Sequence, residues 1–312
     1  MRTRTMLFLV ALVLGGFGTG GVATSFAQDD DVRGAFLTTR PKPVEKSNSS
    51  ATTSRPVRRR PRTTQVKASG NATVAVGNNS AGVAVGGKTE VKNENTSAEK
   101  TKGQKLGLGL TLFGRDPNGL SVRVDPSRVF RSGERVRVLV ETNTDGHLYI
   151  FNTTDGGKPV MIYPNAELDE GGNYIQAHVP FEIPSSTATS ERLRWFAFDR
   201  NEGYERLYFV FTREPLPFIP IEDDLVNYCK QGEGRCPIKP EVQVWAKIQT
   251  EQTAPVKVAK SDKYGKTQTV IEQDATSRGI GLSTADPEPS VVMMKASTEA
   301  NILVAMLELS HK

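Results

Sequence analysis

From residue 106 onward short apolar or alternating runs are separated by turn residues, at 106–113, 135–142, 147–152, 160–163, 174–179, 192–199 and 205–212. Runs of this length and spacing predict an all-β domain. In Arg135-Val-Arg-Val-Leu-Val140 the valines share one face and the arginines the other, as a half-solvated antiparallel strand requires. Asn143-Thr-Asp-Gly146 and Thr154-Asp-Gly-Gly157 read as the turns of a meander, with glycines free to take positive φ. The aromatic runs 148–151, 195–198 and 207–211 place apolar groups on both faces of their strands, so a layer has to cover each face.

Beyond Pro237, the runs 242–248, 256–259, 267–271, 291–294 and 302–309 predict more strands, with 251–290 as a long projecting hairpin. A single helix is predicted at 222–230, where Glu222, Asp223 and Asp224 suit the positive N-terminal end. The fold class expected is all-β, mainly antiparallel and sandwich-like, with one short helix, preceded by a disordered N-terminal arm.

The first residues supply an address. Arg2 and Arg4 precede the apolar run 6–14, and small residues lead to Ser25-Phe26-Ala27. This is the pattern of a secretory signal peptide occupying 1–27, cut between Ala27 and Gln28. The apolar run is too short to span a bilayer, and no later segment comes close, so no transmembrane span is expected after signal removal. The protein is expected to be exported, to the periplasm or beyond. In an oxidising compartment the chain's two cysteines, Cys229 and Cys236, are expected to pair across their short Gly-rich loop.

Charge divides the remainder unevenly. Residues 28–105 carry 15 basic and 7 acidic side chains, a net +8, whereas 106–312 carry 23 and 28, a net −5. The stretch 28–105 is Pro/Arg-rich and then Gly/Asn-rich, and is expected to be a disordered linker. Its cluster Arg55, Arg58, Arg59, Arg60 and Arg62 reads either as a solvated spacer or as a contact to an anionic envelope surface. The acidic body argues against nucleic acid as a partner. Gly82-Val-Ala-Val-Gly-Gly-Lys-Thr89 satisfies the phosphate-loop pattern, but the polar stretch after it lacks a helical stripe, so nucleotide binding is not expected.

With three histidines (His147, His178, His311) and two cysteines, the composition excludes metalloenzymes rich in these ligands. No nucleophile, base and acid stand at useful spacing, so neither a catalytic set, a cofactor nor a metal is expected. His147 and His178 are candidates for a lone acid or base, with structural placement the commoner outcome. Asn143, Asp145, Asn152 and Asp155 offer oxygens that suit calcium, although turn chemistry explains the same residues.

The stretch Asp125-Pro-Ser-Arg-Val-Phe-Arg-Ser-Gly-Glu-Arg135, with 145–165 and Thr212-Arg-Glu-Pro-Leu-Pro217, resembles the bacterial family called domain of unknown function 4384. The resemblance covers roughly 106–220 within a β-rich domain of 106–312 and implies an exported, accessory role without assigning an activity. The function expected is a non-enzymatic cell-envelope interaction module. Its partner would be an envelope protein or polymer. The alternatives are an unrecognised hydrolase acting on an envelope polymer and a carbohydrate-binding module using exposed aromatics.

Overall fold

The computed structural model describes residues 25–43, 103–167 and 172–312. Among these the chain is predominantly β, with two sheets and four helices. The first sheet runs in the order β11 (Val256–Lys260), β12 (Val291–Lys295), β1 (Gly107–Arg115), β4 (Arg135–Thr142), β8 (Phe181–Ile183), with β2 (Ser121–Arg123) on β1 and β9 (Phe196–Ala197) on β4. In the second, β10 (Gly203–Thr212) is central, between β13 (Ile302–His311) and β5 (Gly146–Thr154). There β6 (Val160–Tyr163) and β7 (Tyr174–Ile175) flank β5, and β3 (Val129–Phe130) pairs with β13. The pairings are antiparallel except β3 with β13.

Both sheets turn an apolar face to one shared core. Leu108, Leu110 and Leu112 from β1 and Val136, Val138 and Val140 from β4 meet Leu148 and Ile150 from β5 and Leu207, Phe209 and Phe211 from β10. The intervening residues Tyr149, Phe151, Tyr208 and Val210 point the other way, as alternation in a strand demands. There they are covered by α2 (Glu222–Lys230) and α3 (Val242–Gln252), through Leu225, Val244 and Ile248. The apolar-on-both-sides pattern of 207–211 is thus accounted for by one sheet and one helical layer.

Several expectations need correction. Residues 242–248 form α3, not a strand, because Val244 and Ile248, four apart, are the positions that bury while Val242 is exposed. The run 267–271 contains the start of α4 (Val270–Arg278), whose Thr269 and Glu272 form a reciprocal capping box, closed by Gly279 in the left-handed region. Residues 251–290 do not project as a hairpin: β11 joins the first sheet and α4 lies beside β2, where Gln268 N–H bonds to the Ser121 carbonyl. Only Tyr174 and Ile175 of 174–179 are strand, and His178 stands at φ 56°. Of 192–199, residues Glu191–Arg194 make a 3-10 turn and Phe196–Ala197 a short strand. Arg137, expected in solvent, is buried over Trp195 at 4.2 Å and pairs with Glu182 at 3.6 Å.

The helix Glu222–Lys230 lies where the sequence puts it, and Cys229 in its last turn is disulfide-bonded to Cys236, with Cα atoms 5.5 Å apart. Just beyond, the Ile238 carbonyl accepts the Met161 N–H at 2.7 Å, so the closed loop returns the chain to the side of β6. No helix among the described residues is long and apolar enough to cross a membrane.

Candidate functional site

The largest departure from expectation lies at the N-terminal end. Residues 28–105 were expected to be linker throughout, yet Ser25–Leu37 form α1, which lies over β11 and β12. Val32 and Phe36, one turn apart, are buried with Ala259, Val292 and Met294. Glycines in β1 make room for the Phe36 ring. A Cβ on Gly107 would stand 2.9 Å from it, and one on Gly109 3.2 Å from it and 2.5 Å from Pro289. Residues 31–43 are therefore a strap on the outer face of the first sheet, and their physical warrant is an apolar ridge that meets a bared strip of strand.

Arg40 fixes the end of the strap. Its Nε and Nη2 donate to the two carboxylate oxygens of Glu141 on β4, at 2.8 and 2.7 Å. The other three N–H groups go to the carbonyls of Ser283, Asp286 and Pro287, at 3.2, 3.0 and 3.0 Å. All five donors of the guanidinium are satisfied in the interior, which is the condition for burying it. His178 completes the group, with Nδ1 2.7 Å from Glu141 Oε1 and Nε2 2.8 Å from Thr39 Oγ1. The Phe36 ring meets the imidazole edge-on at 5.6 Å. The positive φ of His178 takes its ring off the strand line and toward the strap.

Burial pushes the Glu141 carboxyl up, but the hydrogen bonds from His178 and Arg40, with their charges, outweigh it and hold the group below the usual carboxylate range. A carboxyl depressed in the folded state contributes stability above its unfolded pKa and loses it as pH falls through the folded one. Strap docking is therefore expected to be intact at neutral pH and to weaken in acid below the ordinary glutamate range. Hydrogen exchange of the 31–40 amides against pH checks this. Protection that does not fall between neutral and strongly acidic pH, while the body stays folded, would contradict it.

The same outer face holds further paired charge. Arg123 bonds to Glu272 of α4 and, at 2.9 Å, to the Glu288 carbonyl, and Gln268 bonds to Glu182. The buried ionic groups thus tie the strap, α4 and 283–290 to the sheet, and each is spent on position.

The calcium candidates are not brought together. Asn143 Oδ1 accepts Gly107 N–H at 2.6 Å, and Asp145 Oδ1 accepts Ala177 N–H at 2.8 Å. At the far end of β5, Asp155 Oδ1 accepts Tyr204 N–H at 2.8 Å, and Asn152 Nδ2 donates to Glu205 at 2.9 Å. A nine-residue strand, about 30 Å long at ~3.3 Å per residue, separates Asp145 from Asp155. Among the described residues no three His, Cys, Asp or Glu side chains are placed to share a metal ion. His147 Nδ1 lies 3.1 Å from Asn173 Oδ1, in a groove of about 930 Å³ shared with Tyr174, Glu214, Lys247 and Glu299.

A second groove, of about 620 Å³, opens between β6 and β8, the strands that end the two sheets on the same side. Beneath it, in the shared core, Tyr163 and Phe181 stack at 5.3 Å between ring centres. Its floor and walls are apolar, from Met161, Ile183, Leu193, Phe196, Leu225 and Ile238. Asn165, Ser185, Thr187 and Thr189 bring hydroxyls and an amide, and among the described residues that line it Glu167 is the one charged side chain. Neutral hydrogen-bonding groups above an apolar floor suit reversible binding of an extended chain.

The matched family falls on these same walls. Residues 129–215 match the family model described as Domain of unknown function (DUF4384). The matched span runs from β3 to just beyond β10, and supplies β4, β5, β6 and β8 and hence most of the groove between the sheet ends. It starts after Asp125 and stops short of Pro217, within the stretch whose residues carry the resemblance. No curated protein and no solved structure matches the chain.

Arg55, Arg58, Arg59, Arg60 and Arg62, the phosphate-loop-like residues 82–89 and the remaining linker lie outside the described residues. Ala27 and Gln28 fall within the first turn of α1. The strap left only a faint mark in the sequence, the apolar pair Val32 and Phe36 one helical turn apart, with Arg40 lying beyond the helix end at Leu37.

Proposed function

We propose that this protein is an exported, non-enzymatic interaction module of the cell envelope, built on a two-sheet sandwich, that holds a partner in the groove between β6 and β8. The observation that carries this reading is the make-up of that groove: apolar walls under a rim of hydroxyls and an amide with the single carboxylate of Glu167 among the described residues, most of it drawn from the family span. The paired Cys229 and Cys236 accord with an oxidising compartment. The arginines at 55–62 would add a salt-sensitive contact to anionic envelope surfaces.

The test is cross-linking capture from native envelope with wild type and with Leu193→Asp, a half-exposed groove residue whose change should leave folding intact. A charge placed on the apolar wall is expected to reduce capture of the specific partner about tenfold or more, as a buried unpaired charge costs over 1.4 kcal/mol. Equal capture by both proteins would refute the groove as the site. The hydrolase reading draws on the wider groove instead, where His147 and Glu214 face the same space. Polymer cleavage abolished by His147→Ala with capture unchanged would move the assignment there.

A further inference from the structure

The strap is held by a site built across the body, not by its neighbours in sequence. Arg40 and Glu141 are 101 residues apart, Arg33 donates to the Pro289 carbonyl 256 residues on, and Thr284 N–H bonds to the Pro41 carbonyl. Its covalent connection to the body is 44–102, a stretch of 59 residues between the described segments. The two ends of that connection lie close together: Arg40 reaches Glu141, while Gln104 and Gly107 both bond to Asn143 two residues along. A chain of 59 residues can extend to about 190 Å at ~3.3 Å per residue, far beyond what the short return requires.

We propose that residues 31–43 of one copy occupy the same site on a second copy, so that this protein associates with itself by exchanging straps. Every contact that holds the strap is identical whether the strap belongs to the same chain or to another: Val32 and Phe36 over Ala259, Val292 and Met294, and Arg40 on Glu141. Only the connection differs between the two states. A connection of 59 residues whose ends lie close together corresponds to an effective concentration of order millimolar. Dilute protein is therefore closed on itself, and exchange competes once local concentration approaches that value, as on a surface that gathers copies. Exchange is reciprocal, since each copy gives a strap and receives one, and the assembly closes at a two-fold pair.

Reversed charges expose the exchanged state directly. The full chain with Arg40→Glu faces its own Glu141 with a carboxylate, and the full chain with Glu141→Arg faces its own Arg40 with a guanidinium, so neither can close. Mixed together, the native Arg40 strap of the second variant finds on the first an intact site, with Glu141 and the carbonyls of Ser283, Asp286 and Pro287. Light scattering at about 20 μM, well under the millimolar closing concentration, is expected to give monomers for each variant alone and twice that mass for the mixture. A mixture that remains monomeric, with both variants folded, overturns the proposal. Should the Glu141→Arg chain fail to fold, a synthetic peptide of residues 28–43 added to the Arg40→Glu chain decides the matter. Binding that is lost when the peptide carries Arg40→Glu supports recognition of a strap from another chain, and absence of binding at several hundred micromolar rejects it.

Discussion

Arg40→Ala is expected to destabilise the protein by about 3–5 kcal/mol, because it strands the Glu141 carboxylate in the interior with its main partner gone. For a domain of this size that corresponds to a fall of roughly 6–20 °C in Tm. Relief comes if the strap lifts away and lets water reach Glu141, which caps the loss at the free energy of docking. Hydrogen exchange separates the two outcomes, since lifting deprotects 31–40 alone. The pair Arg40→Ala and Glu141→Ala should lose less than the sum of the single losses, by about 1–3 kcal/mol. Strict additivity in that cycle would mean the ion pair is not what seats the strap.

Proteolysis between 44 and 102 is expected to leave two pieces that travel together. The sequence alone suggests a resistant core beginning near Leu106, with everything before it trimmed away. The docked strap changes the expectation: a fragment containing 31–43 should co-elute with the body on native gel filtration and separate from it only in denaturant. Phe36→Ala removes a fully buried ring from between β1 and His178, at a cost of about 3–5 kcal/mol. A loss of that size should release the fragment after nicking. Mass spectrometry of the native complex reads both results. A wild-type core recovered without any 31–43 fragment would return this segment to the linker.

Strands with a strict two-residue period were legible. Residues 107–115 and 135–142 put alternate apolar side chains into the shared core, and alternation records that burial directly, whereas 146–154 and 203–212 were legible as short apolar runs buried on both faces. The cysteine pair was legible for a similar reason, since two thiols seven residues apart have few other partners. What failed depended on a second element. Val242, Val244 and Ile248 fit a strand or a helix equally, and only the presence of Tyr208 and Phe151 opposite Trp245 settles the period. Arg40 reads as a solvated charge until Glu141 and three carbonyls from 283–287 close around it. The capping box at Thr269 and Glu272 was in plain view and was outweighed by a short β-branched run. Of the candidate groove, Met161-Ile-Tyr163-Pro-Asn165 carried the resemblance, but nothing in their order announced that β8 would stand beside them.

The strap also sets a timetable for the nascent chain. Phe36 is synthesised before the site that holds it, and Met294, which packs against it there, follows 258 residues later. At about 5–20 residues per second the strap waits roughly 13–50 s for its site to be finished. During that interval Val32 and Phe36 have nowhere native to go, and Glu141 emerges with its guanidinium partner already made but not yet seated. Docking is thus the step that cannot precede β12, and a chain truncated before Val291 would present its first segment to whatever else is nearby.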